Sequence, residues 1–165
     1  MTYALRGTDP AAQPDGPAGS RWNSLLVLVG AGWVVLGGLV AAVTGPLDLE
    51  HGSWTAAYLV LVCGMAQSAF GEVRAHLTLP SVRWARWGQL IGWNLGNIAV
   101  IAGILIGVPV LSDLGGVLLL MALVVEFRSA GGSGRPLLAG LYRAVLATLI
   151  VSIPIGLVLG HIGAG

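Results

Sequence analysis

Imidazole nitrogens ligate haem iron and other metal ions, and two of them on neighbouring helices can hold a haem between them. His51 and His161 form the one histidine pair in this sequence placed for such a role, because both fall at the same end of long apolar segments. His76 belongs to the opposite end, about 37 Å along a helix from His51. A plain interfacial role for both histidines stands beside the haem reading. Cys63, Met65 and Met121 supply soft sulfur in the middle of their segments, a copper(I)-compatible chemistry, although isolated sulfurs without a repeating motif are usually packing residues.

Other candidates are groups that hydrocarbon does not tolerate unpaired. Gln67 and Asn94 each lie roughly 20 Å from the same end of their helices, so a cross-helix hydrogen bond between them is expected. The same amides, with Gln89 and Asn97, can instead line a polar pocket. Glu72, Glu126 and Arg143 fall on three different helices one to two turns from the other end, where they are expected to form an ion-pair cluster. An acidic group there would also serve a proton route. The chain carries no Gly-rich phosphate loop, nucleophile elbow, H-E-x-x-H motif or supportive Ser/His/Asp spacing.

The elements that position these groups follow from composition. The chain has 165 residues, 56% hydrophobic and 9% charged, far below the roughly 25% charged residues of a soluble domain. Mean hydropathy is +0.87. The apolar excess is spread over five segments, at about 22–45, 54–76, 84–107, 110–128 and 137–161, each near the roughly 20 residues that cross a bilayer as a helix. Turn formers separate them: Gly45-Pro46, Pro80, Pro109 and the run Gly131 to Pro136. Pro109 divides a stretch about twice the length of one span, so two spans are expected there. The reading is an all-α polytopic membrane bundle of five transmembrane helices over 21–165, preceded by a disordered cytoplasmic tail over 1–20. That tail has no basic start with a short apolar core, so no signal peptide is expected.

All 8 cationic side chains are arginine, and a five-span topology places every one of them on the same side. Asp48, Glu50 and Asp113 lie on the other. Positive charge near span ends stays in the cytoplasm, so the expected orientation is N-terminus inside and C-terminus outside, in the cell (cytoplasmic) membrane. Net charge is +1 and the arginines form no dense run, which leaves no basis for a nucleic-acid partner. The single cysteine excludes an intramolecular disulfide. Stability must come from helix packing.

Membrane helices associate through close backbone approach and interhelical hydrogen bonds. Gly92, Gly96, Ala99, Gly103 and Gly107 align as one smooth stripe on the third segment, and Gly64, Ser68, Gly71 and Ala75 as another on the second. These stripes are the main candidates for a tight contact, and the first is also available to a partner protein or a second copy of the chain. Trp22, Trp84, Trp87, Trp54 and Tyr58 are expected as interfacial anchors, with Trp33 and Trp93 packed nearer mid-membrane.

The run His51-Gly52-Ser53-Trp54, then Tyr58-Leu59-Val60-Leu61-Val62, Gly64 and Gly71, followed by Gln89 and Trp93-Asn94-Leu95-Gly96, resembles helix pairs in short relatives of haem-copper oxidase subunit I and NnrS-type membrane proteins. The resemblance covers about 50 residues and implies a histidine that opens a Gly-rich helix and ligates haem or copper. Only His51 matches such a ligand; the further histidines at membrane depth that the family's metal centres use have no counterparts here, which disfavours a catalytic oxidase. The expected function is a non-enzymatic bundle subunit or accessory factor that packs with partner helices. The alternatives are a haem- or metal-binding redox protein using His51 and His161, and a small transporter or channel subunit lined by Gln67, Asn94 and Glu72. The Arg-only, Ala/Gly/Val/Leu-rich composition suggests an actinobacterial source.

Overall fold

A computed structural model describes residues 17–77, 83–130 and 136–163. The described residues are almost entirely helical and contain five helices long and apolar enough to cross a membrane. We label them α1 (Pro17–Thr44), α2 (the consecutive segments Gly52–Tyr58, Leu59–Met65 and Ala66–Leu77), α3 (Arg83–Leu105), α4 (Pro109–Ser129) and α5 (Pro136–Gly163). Helix α1 starts inside the stretch expected to be a tail. Proline fixes φ near the helical value and its missing N–H costs nothing in the first turn, so Pro17 is a suitable opening residue. The same logic opens α4 at Pro109.

The break at Pro109 is real and tight. Helix α3 ends at Leu105, Val108 is extended at φ −110° and ψ 91°, and Gly107 takes φ +68°. That left-handed value suits glycine, so the last residue of the expected stripe turns the chain and packs against nothing. The longer α1–α2 turn places Asp48 at φ 47°, a conformation that Asp tolerates better than most residues.

Two antiparallel hairpins, α1–α2 and α3–α4, form the bulk of the bundle, and α5 packs beside α4 and touches α2. Small residues set both hairpins. An added Cβ at Gly96 falls 2.9 Å from the Gly115 carbonyl oxygen, and one at Gly115 falls 2.7 Å from the Val100 nitrogen. The α3 stripe is therefore covered by α4 and does not meet the stripe of α2. An added Cβ at Gly64 falls 2.9 Å from the Gly30 carbonyl oxygen, and one at Gly71 falls 2.8 Å from that of Asn23, so the α2 stripe meets α1. Gly37 packs on Ala56 and Leu59, and Gly52 on Leu49. Asn23, Gly30, Gly37 and Thr44 repeat every seven residues along α1, the period that keeps one seam facing a partner helix.

The middle of α2 winds as a π-helix over Leu59–Met65. π segments inside α-helices are uncommon and recur at functional sites. No feature of the sequence announces this one. The core lies among α2, α3, α4 and α5, around Phe70, Trp93, Leu119, Leu123, Tyr142 and Leu146. Most other large apolar side chains point outward, as expected of helices solvated by lipid.

Candidate functional site: a layered polar core

Side chains three, four and seven residues apart share one face of a helix. On α2 this places Gln67, Phe70 and Arg74 together; on α3 it places Gln89, Trp93 and Asn97 together. All six are buried. The Phe70 and Trp93 rings meet edge to face, with centroids 4.9 Å apart and planes at 79°. Because α2 and α3 run antiparallel, that contact fixes the register. One turn toward the α3–α4 turn, Gln67 and Asn97 lie at one depth; one turn the other way, Arg74 and Gln89 lie at another.

The Arg74 layer is closed by charge. Arg74 Nε donates to both carboxylate oxygens of Glu126 on α4, at 2.9 and 3.0 Å, and its terminal nitrogen donates to Glu126 Oε2 as well. The Tyr142 hydroxyl on α5 donates to Glu126 Oε1 at 2.6 Å. Tyr142 also faces Phe70 edge to face at 6.5 Å. One carboxylate thus ties three helices, α2, α4 and α5, about one turn from the arginine-bearing end of the bundle.

The Gln67 layer is open. Gln67 is 1% exposed, yet neither its amide nitrogen nor its amide oxygen has a hydrogen-bond partner. Asn97 donates from Nδ2 to the Trp93 carbonyl at 2.8 Å, while its Oδ1 is unpartnered. Gln89 Oε1 and Trp93 Nε1 are unpartnered too. Two donors and three acceptors are therefore buried within the α2 and α3 faces without protein partners. Buried polar groups are normally satisfied, by protein or by ordered water.

Several expected arrangements are replaced. Gln67 and Asn94 do not pair. Asn94 is half-buried on the flank of α3 toward α1, where its Oδ1 accepts from Trp33 Nε1 at 2.6 Å and its Nδ2 donates to the Leu90 carbonyl at 2.8 Å. The expected cluster of Glu72, Glu126 and Arg143 does not form either. Glu126 takes Arg74 and Tyr142 instead, Glu72 is exposed beside α1, and exposed Arg143 places its guanidinium 4.6 Å from the centre of the Phe127 ring. Helix phase is the reason: two residues are about 200° apart, so Arg74 points inward and Glu72 outward, and Tyr142 takes the inward position beside Arg143. The seven-residue spacing of Arg74 from Gln67 is the sequence signal that places it on the inward face of α2.

His51 is exposed in the turn before α2, and its side chain makes no capping hydrogen bond. His161 lies in the last turns of α5, and its side chain falls outside the described residues. Cys63 is buried in the π segment while Met65 and Met121 face outward, so the sulfurs do not converge. Of the glycine positions, Gly96, Gly103, Gly64 and Gly71 lie in the hairpin seams, and Gly92 lies 3.9 Å from the Ala122 Cβ when given a Cβ of its own. Comparison with protein-family profiles, curated proteins and solved structures finds no match to this chain.

Proposed function

We propose that this chain is a non-enzymatic, multi-pass protein of the cytoplasmic membrane, of the transporter or channel class, whose core receives a small, neutral, hydrogen-bonding solute. The observation that carries this reading is the unpartnered Gln67 amide, buried level with the unpartnered Asn97 oxygen. A polar group in hydrocarbon that lacks a partner costs several kcal/mol, and polar residues inside a membrane bundle characteristically mark substrate and ion pathways. A solute that both donates and accepts suits an uncharged layer with both functions. The Phe70 and Trp93 rings close this layer on the side of the ion pair, consistent with an occluded binding position more than an open pore.

The reading of a bundle subunit that recruits partners through the Gly92-to-Gly107 stripe loses its main support, because α4 of the same chain covers that face. A haem between His51 and His161 gains none from an exposed His51. Orientation follows from charge: Arg21, Arg74, Arg83, Arg86, Arg128 and Arg143 share one end of the bundle, and that end belongs in the cytoplasm. An impermeant thiol reagent should label Asp48→Cys in intact cells and leave His76→Cys unlabelled.

Light scattering of proteoliposomes exposed to glycerol or urea gradients tests the solute reading. Wild-type protein should speed solute entry over empty liposomes, and the Gln67→Leu, Asn97→Leu double variant should return it to the empty-liposome rate while remaining folded. Entry no faster than in empty liposomes for both probes, or unchanged in the double variant, would reject it.

A further inference from the structure

The two hairpins are held together inside and against each other by different means. Within each, backbones touch: every seam glycine of α1–α2 and of α3–α4 has its nearest neighbours in its own hairpin. Between them, long side chains make the contact. Trp22 of α1 meets Trp87 of α3 with ring centroids 5.1 Å apart, Trp33 bonds to Asn94, Phe70 meets Trp93, and Arg74 reaches Glu126. Rings and a guanidinium thus stand where glycines would let the backbones close. Such an interface can part without unravelling either seam, because each hairpin keeps its own backbone contacts.

The strength of that interface is concentrated in its polar links. Lipid tails are as apolar as leucine, so apolar side chains lose little when lipid replaces the opposite hairpin. A polar bond is lost outright. Trp33–Asn94 is one neutral bond on the flank of α3. Arg74–Glu126 is charge-assisted and forked, with both carboxylate oxygens engaged and both residues buried. It crosses from α2 to α4, seven residues or about 10 Å from Gln67 toward the arginine-bearing end. Gln67 on α2 and Asn97 on α3 belong to opposite walls of the same interface, with Phe70 and Trp93 between them and the ion pair.

We propose that the α1–α2 and α3–α4 hairpins move against each other as two bodies, α5 travelling with α4, and that the Arg74–Glu126 pair is the latch that shuts the arginine-bearing end of their interface. When the pair parts, Phe70 and Trp93 separate with it and the Gln67 layer opens toward that end. This use of the latch, the release of a solute to the arginine-bearing side, rests on the solute reading; the latch itself does not. Tyr142 has another part. Its bond to Glu126 stays within the half formed by α3, α4 and α5, so it steadies the carboxylate without holding the two bodies together.

Dipolar EPR on the full-length protein in liposomes tests the latch. With buried Cys63 replaced by Ala, nitroxides at His76→Cys and Arg128→Cys report across the interface, and nitroxides at Gly88→Cys and Arg128→Cys report within one hairpin; all three positions are exposed. The cross-interface pair should show a main distance and a minor longer one. Glu126→Gln should raise the longer population about tenfold, the scale of exchanging a charge-assisted bond for a neutral one. Arg74→Lys, which keeps the charge and loses the fork, should raise it less, and it serves where Glu126→Gln does not fold. The within-hairpin pair should hold one distance throughout. Tyr142→Phe should lower the thermal midpoint yet leave the cross-interface distances as in wild type, which separates a latch from a pair that only stabilises. Distances unchanged by both Glu126→Gln and Arg74→Lys overturn the proposal. So does a within-hairpin pair that shifts equally, or a shift of the same size in Tyr142→Phe. An interface that opens as described in a protein that speeds no solute entry supports the latch and rejects the solute reading alone.

Discussion

Glu126 and Gln67 are buried to the same degree, 0% and 1% exposed, on facing sides of one aromatic layer. Glu126 accepts from Arg74 and Tyr142, while Gln67 has no partner at either amide atom. Burial alone therefore does not say whether a polar group is satisfied. The state of its hydrogen bonds does. A carboxylate shared by three helices ties together the arginine-bearing half of the bundle, whereas the Gln67 amide has no protein partner at either atom, a state unusual for buried polar groups.

The contrast can be broken most forcefully at the ion pair. Arg74→Ala strands the Glu126 charge in the core and should cost about 3–5 kcal/mol, read as a large fall in the thermal midpoint in detergent. The Arg74→Met, Glu126→Leu double variant removes both charges and should recover most of that loss, since a buried pair is often replaceable by apolar packing. A double variant as unstable as Arg74→Ala would mean that the pair contributes beyond mutual neutralisation. Tyr142→Phe removes one donor from a buried carboxylate, and about 1.5–3 kcal/mol is expected on the same assay. Trp33→Phe sharpens the contrast at a neutral amide: it removes the partner of Asn94 Oδ1 and should cost about 0.6–1.7 kcal/mol, the measured scale of interhelical hydrogen bonds in membranes.

Much of the fold was legible because hydropathy and length act on whole segments. Five apolar runs had to become five helices, and Pro109 with Gly107 had to turn the chain between two of them. The glycine stripe of α3 was visible as well, but not its partner. A stripe at fixed spacing states that something approaches closely; the short turn at 106–108 decides that α4 does. The matching small residues of α1, Gly30 and Gly37, carried a legible signal in their seven-residue period with Asn23 and Thr44 that hydropathy alone passes over.

The site was less legible, since it depends on angle as well as depth. Depth placed Glu72, Glu126 and Arg143 together, and phase separated them. Asn94 and Asn97 differ by less than one turn, yet one bonds to Trp33 on α1 and the other keeps a bare oxygen in the core. The π segment at Leu59–Met65 adds a phase shift within α2 that regular helical spacing does not anticipate.

The central claim is that the Gln67 amide has no partner within the protein. Its most direct test is the thermal midpoint of Gln67→Met, a substitution that keeps length and approximate volume while removing both amide atoms. The account predicts a midpoint equal to or above wild type, because no protein hydrogen bond is lost and a buried polar group is relieved. A fall comparable to that of Tyr142→Phe would show that Gln67 is bonded within the bundle and would contradict it.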